Sequence, residues 1–149
     1  MSKKPHIAIL SSRSNVYSTQ VIKQELEKRN AKVSIVNPQE CDVKFFGKNA
    51  EIIHNNKSLD DIDFVIPRIG ASSYEYGINI VRAFELLNIP VLNSSNVLEW
   101  TRSKYKLICK LSENNIPTLK THLVSSSANL DYISDFPVII KLSRGSQGK

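Results

Sequence analysis

His6-Ile-Ala-Ile-Leu-Ser-Ser-Arg-Ser-Asn-Val-Tyr-Ser-Thr-Gln-Val-Ile-Lys-Gln-Glu-Leu-Glu-Lys-Arg-Asn-Ala-Lys-Val-Ser-Ile-Val36 reads as strand, loop, helix and strand in succession. His6–Leu10 is a short, nearly continuous apolar run, the pattern of a strand covered on both faces. Ser11–Asn15 is a polar loop. Val16 to Asn30 has helical periodicity, with Val21, Ile22 and Leu26 as the apolar stripe and Lys23, Gln24, Glu27 and Lys28 opposite. Lys32–Val36 is a second strand, closed by Asn37-Pro38. A strand returned to the same direction through a helix must pair in parallel, so an α/β fold is expected.

The segments that follow extend this unit. Val43-Lys-Phe-Phe46 and Glu51-Ile-Ile-His54 flank Gly47-Lys-Asn49, and Asn55-Asn-Lys57 comes next. This spacing predicts a small antiparallel insertion over Val43 to Leu59. Asp63–Ile66 resumes the main sheet and stops at Pro67. A helix over Ser72 to Asn88 would carry Tyr76, Ile80, Phe84 and Leu87 on one face, and Pro90–Leu92 would be a fourth strand. Beyond Asn93 the character changes. Ser94 and Ser95 can cap a short helix through Trp100, and Arg102 to Asn115 reads as another, with Tyr105, Ile108, Cys109 and Ser112 on one face. Pro117 ends it. Leu119–Val124 reads as a strand, Ser126–Ser134 as a short helix and Pro137–Leu142 as a last strand. A boundary falls near residues 93–102, dividing a compact domain over 1–93 from the start of a second over 94–149.

Composition narrows the function classes. The 149 residues are 41% hydrophobic and 23% charged, as in ordinary soluble domains. No apolar run is long enough for a membrane span, and Ile7–Leu10 is too short for the core of a secretory leader. Cys41 and Cys109 lack metal-type spacing, which suits reduced thiols and a cytoplasmic protein. The net charge of +6 is spread along the chain, with no basic block and no aromatic-interleaved basic motif. It reads as a solvated surface, or a cleft for anionic substrates, rather than a nucleic-acid face.

Several familiar chemistries are missing. No glycine follows the first strand, so the dinucleotide fingerprint fails. A Walker loop ending in Gly148-Lys149 would need glycine at Ser143. His6, His54 and His122 lie in separate elements and read as surface or strand-edge residues; Cys109 reads as core. One constellation remains: Lys104 near a helix start, Lys141 within Val138-Ile-Ile-Lys-Leu142, and the loop Gly145-Ser-Gln-Gly148. Glycines let backbone N–H groups approach phosphate oxygens. A lysine flanked by apolar residues either meets an anion or snorkels from a sheet edge. The residues alone leave both readings open.

Five segments in order carry a resemblance. They are Ile7-Ala-Ile-Leu-Ser-Ser-Arg-Ser-Asn-Val-Tyr-Ser18, Phe64-Val-Ile-Pro-Arg-Ile-Gly70, Phe84-Glu-Leu-Leu-Asn-Ile-Pro-Val-Leu-Asn-Ser94, Arg102-Ser-Lys-Tyr-Lys106 with Ile116-Pro117, and Val138-Ile-Ile-Lys-Leu-Ser-Arg-Gly-Ser-Gln-Gly148. Together they resemble the ATP-grasp superfamily, and within it the RimK-type glutamate ligases. The second segment matches that family's "VIPRIG", the fourth its "R-D-K" helix start, and the fifth its "VVKL-x-x-G-T-Q-G" loop. Serine at 103 departs from the usual acid.

The resemblance implies a Rossmann-like pre-ATP-grasp domain over 1–93, then the first, incomplete part of an ATP-grasp domain over 94–149. It implies ATP and Mg2+ (or Mn2+) as cofactors. Lys104, Lys141, Gly145, Ser146, Gln147 and Gly148 would bind the ATP phosphates. The implied reaction activates a carboxylate as an acyl-phosphate and joins it to an amine, with an amino acid, glutamate above all, as one partner. The carboxylate acceptor would be a protein C-terminus or a small molecule. The family's catalytic and magnesium-binding residues would lie beyond Lys149, so the chain alone is expected to be inactive. Arg68, at the strand end where open α/β sheets bind ligands, is a candidate contact for an acidic substrate; Arg13 is another. Unpartnered strands near the end would favour self-association. The competing reading is a non-catalytic, flavodoxin-like module that binds an anionic ligand or a partner protein through Arg13 and Arg68.

Overall fold

A computed structural model describes residues 3–125, 133 and 136–143. The chain divides into two compact units between Ser95 and Asn96.

The first unit is built on three parallel strands. They are β1 (His6–Leu10), β2 (Lys32–Val36) and β6 (Phe64–Pro67), in the order β2-β1-β6. The register runs His6 to Lys32 on one side of β1 and Ile7 to Phe64 on the other. Ala8, Ile9 and Leu10 are fully buried, as the central strand of such a sheet requires. Pro90–Leu92 falls short of the expected fourth strand. Only Val91 bridges to Val65, through Val65 N–H to Pro90 C=O at 2.9 Å and Leu92 N–H to Val65 C=O at 3.0 Å.

Helix α1 (Tyr17–Lys28) connects β1 to β2. Its buried face is phased differently from the expected stripe. Thr19 is buried and Ile22 and Leu26 are half-buried, whereas Val21 is exposed. Thr19, Ile22 and Leu26 follow the i, i+3, i+7 spacing of one helix face, and Val21 lies off it.

Between β2 and β6 lies the antiparallel insertion, β3 (Cys41–Phe46), β4 (Asn49–His54) and β5 (Lys57–Ser58), in that order. Its turns explain its sequence. Gly47 has φ +64 at the first position of a two-residue loop, where glycine is favoured. Asn55 and Asn56 both have positive φ, the conformation that a tight hairpin demands and asparagine tolerates. Ala50 and Ile52 alternate inward from β4. Helix α2 (Tyr74–Leu86) packs on this sheet, and the Tyr76 hydroxyl donates to the Cys41 carbonyl at 2.7 Å. Ile80 and Phe84 are buried as expected.

Helix α3 (Ser95–Arg102) starts at the last residue of the first unit, and one residue, Ser103, separates it from α4 (Lys104–Glu113) in the second. Arg102 therefore ends α3 rather than opening the next helix. The expected strands at 119–124 and 137–142 do not form. Both segments run without a ladder among the described residues, and Ile139 and Ile140 are 82% and 84% exposed. β propensity alone does not make a strand; it takes a neighbour to accept its backbone hydrogen bonds. The short helix expected at Ser126–Ser134 lies almost entirely outside the described residues.

Candidate functional site

Two clusters collect the residues singled out from the sequence, one in each unit.

In the first unit the cluster sits at the carboxyl edge of the sheet. The chain leaves β1 toward β2 on one side, while β6 lies on the other side of β1. That reversal is where open α/β sheets form a ligand crevice. The loop after β1 carries Arg13, which is exposed; the Ser11 hydroxyl donates to the Arg13 carbonyl at 2.9 Å. The loop after β6 carries Arg68, also exposed. Its backbone N–H donates to the Leu10 carbonyl at 2.8 Å, which pins the loop to the end of β1. Its guanidinium Nη2 donates to Ser18 Oγ, in the first turn of α1, at 2.8 Å. That bond ties the guanidinium to α1 and uses only part of its fork of donors. Ser18 was not among the sequence candidates, because nothing local marks it.

The second cluster forms at the start of α4. Ser103 is buried, and its Oγ accepts from the Lys106 N–H at 3.3 Å. Serine here caps the helix, a role that an acid at this position would also perform, so the departure from the family pattern preserves the cap. Lys104 follows as the first helical residue and is half-buried. Its backbone N–H donates to the Ser143 carbonyl at 3.0 Å. The segment holding Lys141 is thereby tied to the helix that begins with Lys104. Lys141 is exposed rather than enclosed in a buried strand. Gly145, Ser146, Gln147 and Gly148 lie outside the described residues.

Other candidates resolve differently. Cys41 is buried, and burial pushes its thiol up to about 12, which suits packing and not reactivity. Cys109 is half-buried on α4, a helix with no buried residue, so it is not core. His6 is buried in β1 and not a surface residue. Its Nε2 pairs with Ser34 Oγ at 2.8 Å, and its Nδ1 lies 2.9 Å from Asp61 Oδ2 without the alignment of a hydrogen bond. His54 lies 3.4 Å from Glu40. Among the described residues no three of His, Cys, Asp and Glu converge to hold a metal ion. The two lysines and the helix start suit the phosphates of a nucleotide, whereas the described residues offer a divalent cation no cage of their own. No helix among them is long and apolar enough to cross a membrane.

Comparison with known proteins gives a consistent result. The RimK PreATP-grasp domain model matches residues 6–98. The chain is 38% identical over 148 residues to "Probable alpha-L-glutamate ligase 1" of Shewanella frigidimarina, covering 96% of this chain and 49% of that protein. It is 36% identical over 146 residues to "Probable alpha-L-glutamate ligase" of Vibrio atlanticus, covering 95% and 48%. Against the protein of the same name from Maridesulfovibrio salexigens it is 31% identical over 147 residues, covering 96% and 49%. The chain spans about half the length of the curated relatives it matches.

Proposed function

The chain belongs to the RimK pre-ATP-grasp domain family, and from that premise we propose that it forms the amino-terminal part of an ATP-dependent carboxylate–amine ligase that joins glutamate to an acceptor. In this reading residues 1–93 are the pre-ATP-grasp domain and 94–149 begin the nucleotide-binding domain. The observation that carries it is the 3.0 Å bond from the Lys104 N–H to the Ser143 carbonyl. It supports a phosphate clamp, because it draws together the two lysine-bearing segments that the family resemblance assigns to ATP.

Each residue has a task of its own. The Lys104 and Lys141 ammonium groups neutralise phosphate charge, and Gly145, Ser146, Gln147 and Gly148 add amide donors to it. When bound, ATP supplies the phosphoryl group that makes a carboxylate reactive toward an amine. Arg68 and Arg13 receive an acidic substrate at the edge of the first sheet. A guanidinium suits a carboxylate because its donors meet both oxygens in one plane. Ser18 orients the Arg68 guanidinium and leaves other donors for the substrate.

The test joins these residues to the remaining half of a relative and measures glutamate-dependent ATP consumption. Lys141→Ala and Lys104→Ala should each lower turnover by about a hundredfold, the scale of losing one stabilising donor, with far-ultraviolet dichroism unchanged. Turnover equal to the parent in both variants would remove the site assignment.

A further inference from the structure

A glycine inside a helix normally costs stability against alanine. Helix α2 keeps one in its first turn, Gly77, and it is buried. A methyl group there would lie 2.8 Å from Ile69 Cγ2, 3.0 Å from its Cδ1 and 3.3 Å from its Cγ1. Cγ2 branches directly from Cβ and is stiff, so it cannot swing aside as the end of a long side chain would. Ile69 belongs to the loop Arg68-Ile69-Gly70, which leads from β6 toward α2. The loop backbone is held at both ends. Arg68 N–H bonds the Leu10 carbonyl at 2.8 Å, and Ser73 N–H bonds the Gly70 carbonyl at 3.3 Å.

Adjacent residues of this loop reach opposite partners. Arg68 bonds Ser18 on α1, and Ile69 rests on Gly77 of α2. The crossovers that contain these helices run in opposite directions across the sheet, so their right-handedness puts α1 and α2 on opposite faces. Arg68 and Ile69, neighbours in the chain, are thus each held by a different helix.

We propose that Gly77 is a positioning residue: its missing side chain is the seat for Ile69, and that seat aims Arg68 at a carboxylate in the sheet-edge crevice. The carboxylate part rests on the function proposed above, but the seat itself does not. A helix glycine kept only for want of selection would accept alanine with a gain in stability. A seat would instead transmit the added methyl to Arg68.

The experiment uses the 149-residue chain and its Gly77→Ala, Ile69→Ala, Arg68→Ala and Gly77→Ala/Ile69→Ala variants. Calorimetry measures the Kd for tetra-L-glutamate, and amide exchange followed by NMR measures protection of the Arg68 N–H. Gly77→Ala should weaken binding about tenfold, the scale of a lost hydrogen bond to a charged group, and speed exchange at Arg68. Ile69→Ala should show a milder loss of both, and in the double variant, which lacks all three clashing atoms, alanine at 77 should add nothing to that loss, a non-additive result. Parent-like binding and protection in Gly77→Ala would overturn the proposal, as would a double variant no better than Gly77→Ala. Should Gly77→Ala fail to fold, the double variant decides: recovery of folding and Arg68 protection supports the seat, and continued failure overturns it. If Arg68→Ala binds as tightly as the parent, or the parent binds no tetraglutamate, the carboxylate reading falls and Arg68 amide exchange still judges the seat.

Discussion

Asp63 joins more of the structure than its position outside any strand suggests. Its Oδ2 accepts from the His6 N–H at 2.8 Å, and its Oδ1 accepts from Lys3 Nζ at 2.9 Å. Its own N–H returns to the His6 carbonyl at 2.8 Å. The carboxylate thus closes the open end of β1 against β6. The His6 backbone bond, and then Lys3, hold its carboxyl below the usual aspartate range. A carboxyl depressed in the folded state stabilises fully above the unfolded value, about pH 4. That contribution fades as pH falls through the lower folded value. Asp63→Asn should therefore lower the urea midpoint at neutral pH and flatten its decline below about pH 4. An acid limb as steep as the parent's would show that other carboxylates govern it. Glu25 and Asp61 are also depressed, chiefly by bonds to Lys28 and Lys32, and they set the background against which the change is read.

At the scale of elements, the three longest helices stop in the same way. After α1, α2 and α4 come Asn30, Asn88 and Asn115, with φ of 66°, 58° and 55°. In each case the following N–H reaches back into the last turn: Ala31 to Leu26, Ile89 to Phe84 and Ile116 to Leu111, at 3.0 to 3.1 Å. These are Schellman caps with asparagine in the glycine position. Asn88→Gly should be neutral or stabilising, and Asn88→Ala should cost about 1 kcal/mol, because a Cβ is strained at positive φ. Equilibrium unfolding in urea reads both; equal costs for the two would remove backbone strain as the cause. These endings were legible in the sequence, where the helices were expected to close at the same three asparagines. The β1-α1-β2 unit and the antiparallel insertion were legible for a related reason, since their signals are local: alternation, period and turn residues. The strands at 119–124 and 137–142 were not, because pairing depends on a neighbour that no local pattern encodes. Lys141 was misplaced with them, from an enclosed strand to an exposed segment. Arg68 was found from its place at a strand end, but Ser18 and Gly77 become visible only once α1 and α2 are packed around that loop.

The molecule as a whole is uneven. Every buried hydrophobic residue among those described lies between Ala8 and Phe84, within the first unit. In the second unit α4 buries no residue, and Ser103 is the buried position between the helices. Helix α4 has ten residues, below the roughly 12–15 at which an isolated helix becomes even marginal in water. Its local supports are the Ser103 cap, the Lys110–Glu113 pair at 2.9 Å and the Lys110 ammonium 5.0 Å from the Trp100 ring centroid. Exposed pairs of this kind contribute well under about 1 kcal/mol each. The two units should therefore open at different free energies. Native-state hydrogen exchange on the whole chain should give β1 and α2 amides protection close to the global unfolding free energy, and α4 amides little. Trypsin should cut the second unit first, at Lys120 or Lys141 in its exposed non-helical segments and then within α4, leaving the first unit intact. Saturating Mg-ATP supplies the decisive comparison. If Lys104 and the Lys141 segment clamp phosphate, ligand that binds only the ordered form must raise protection in α4, in proportion to its concentration over Kd. Protection in α4 equal to that of β1 without nucleotide would mean that the second unit is held by contacts other than its own helices. Low protection that Mg-ATP leaves unchanged would mean that these residues do not by themselves form the clamp.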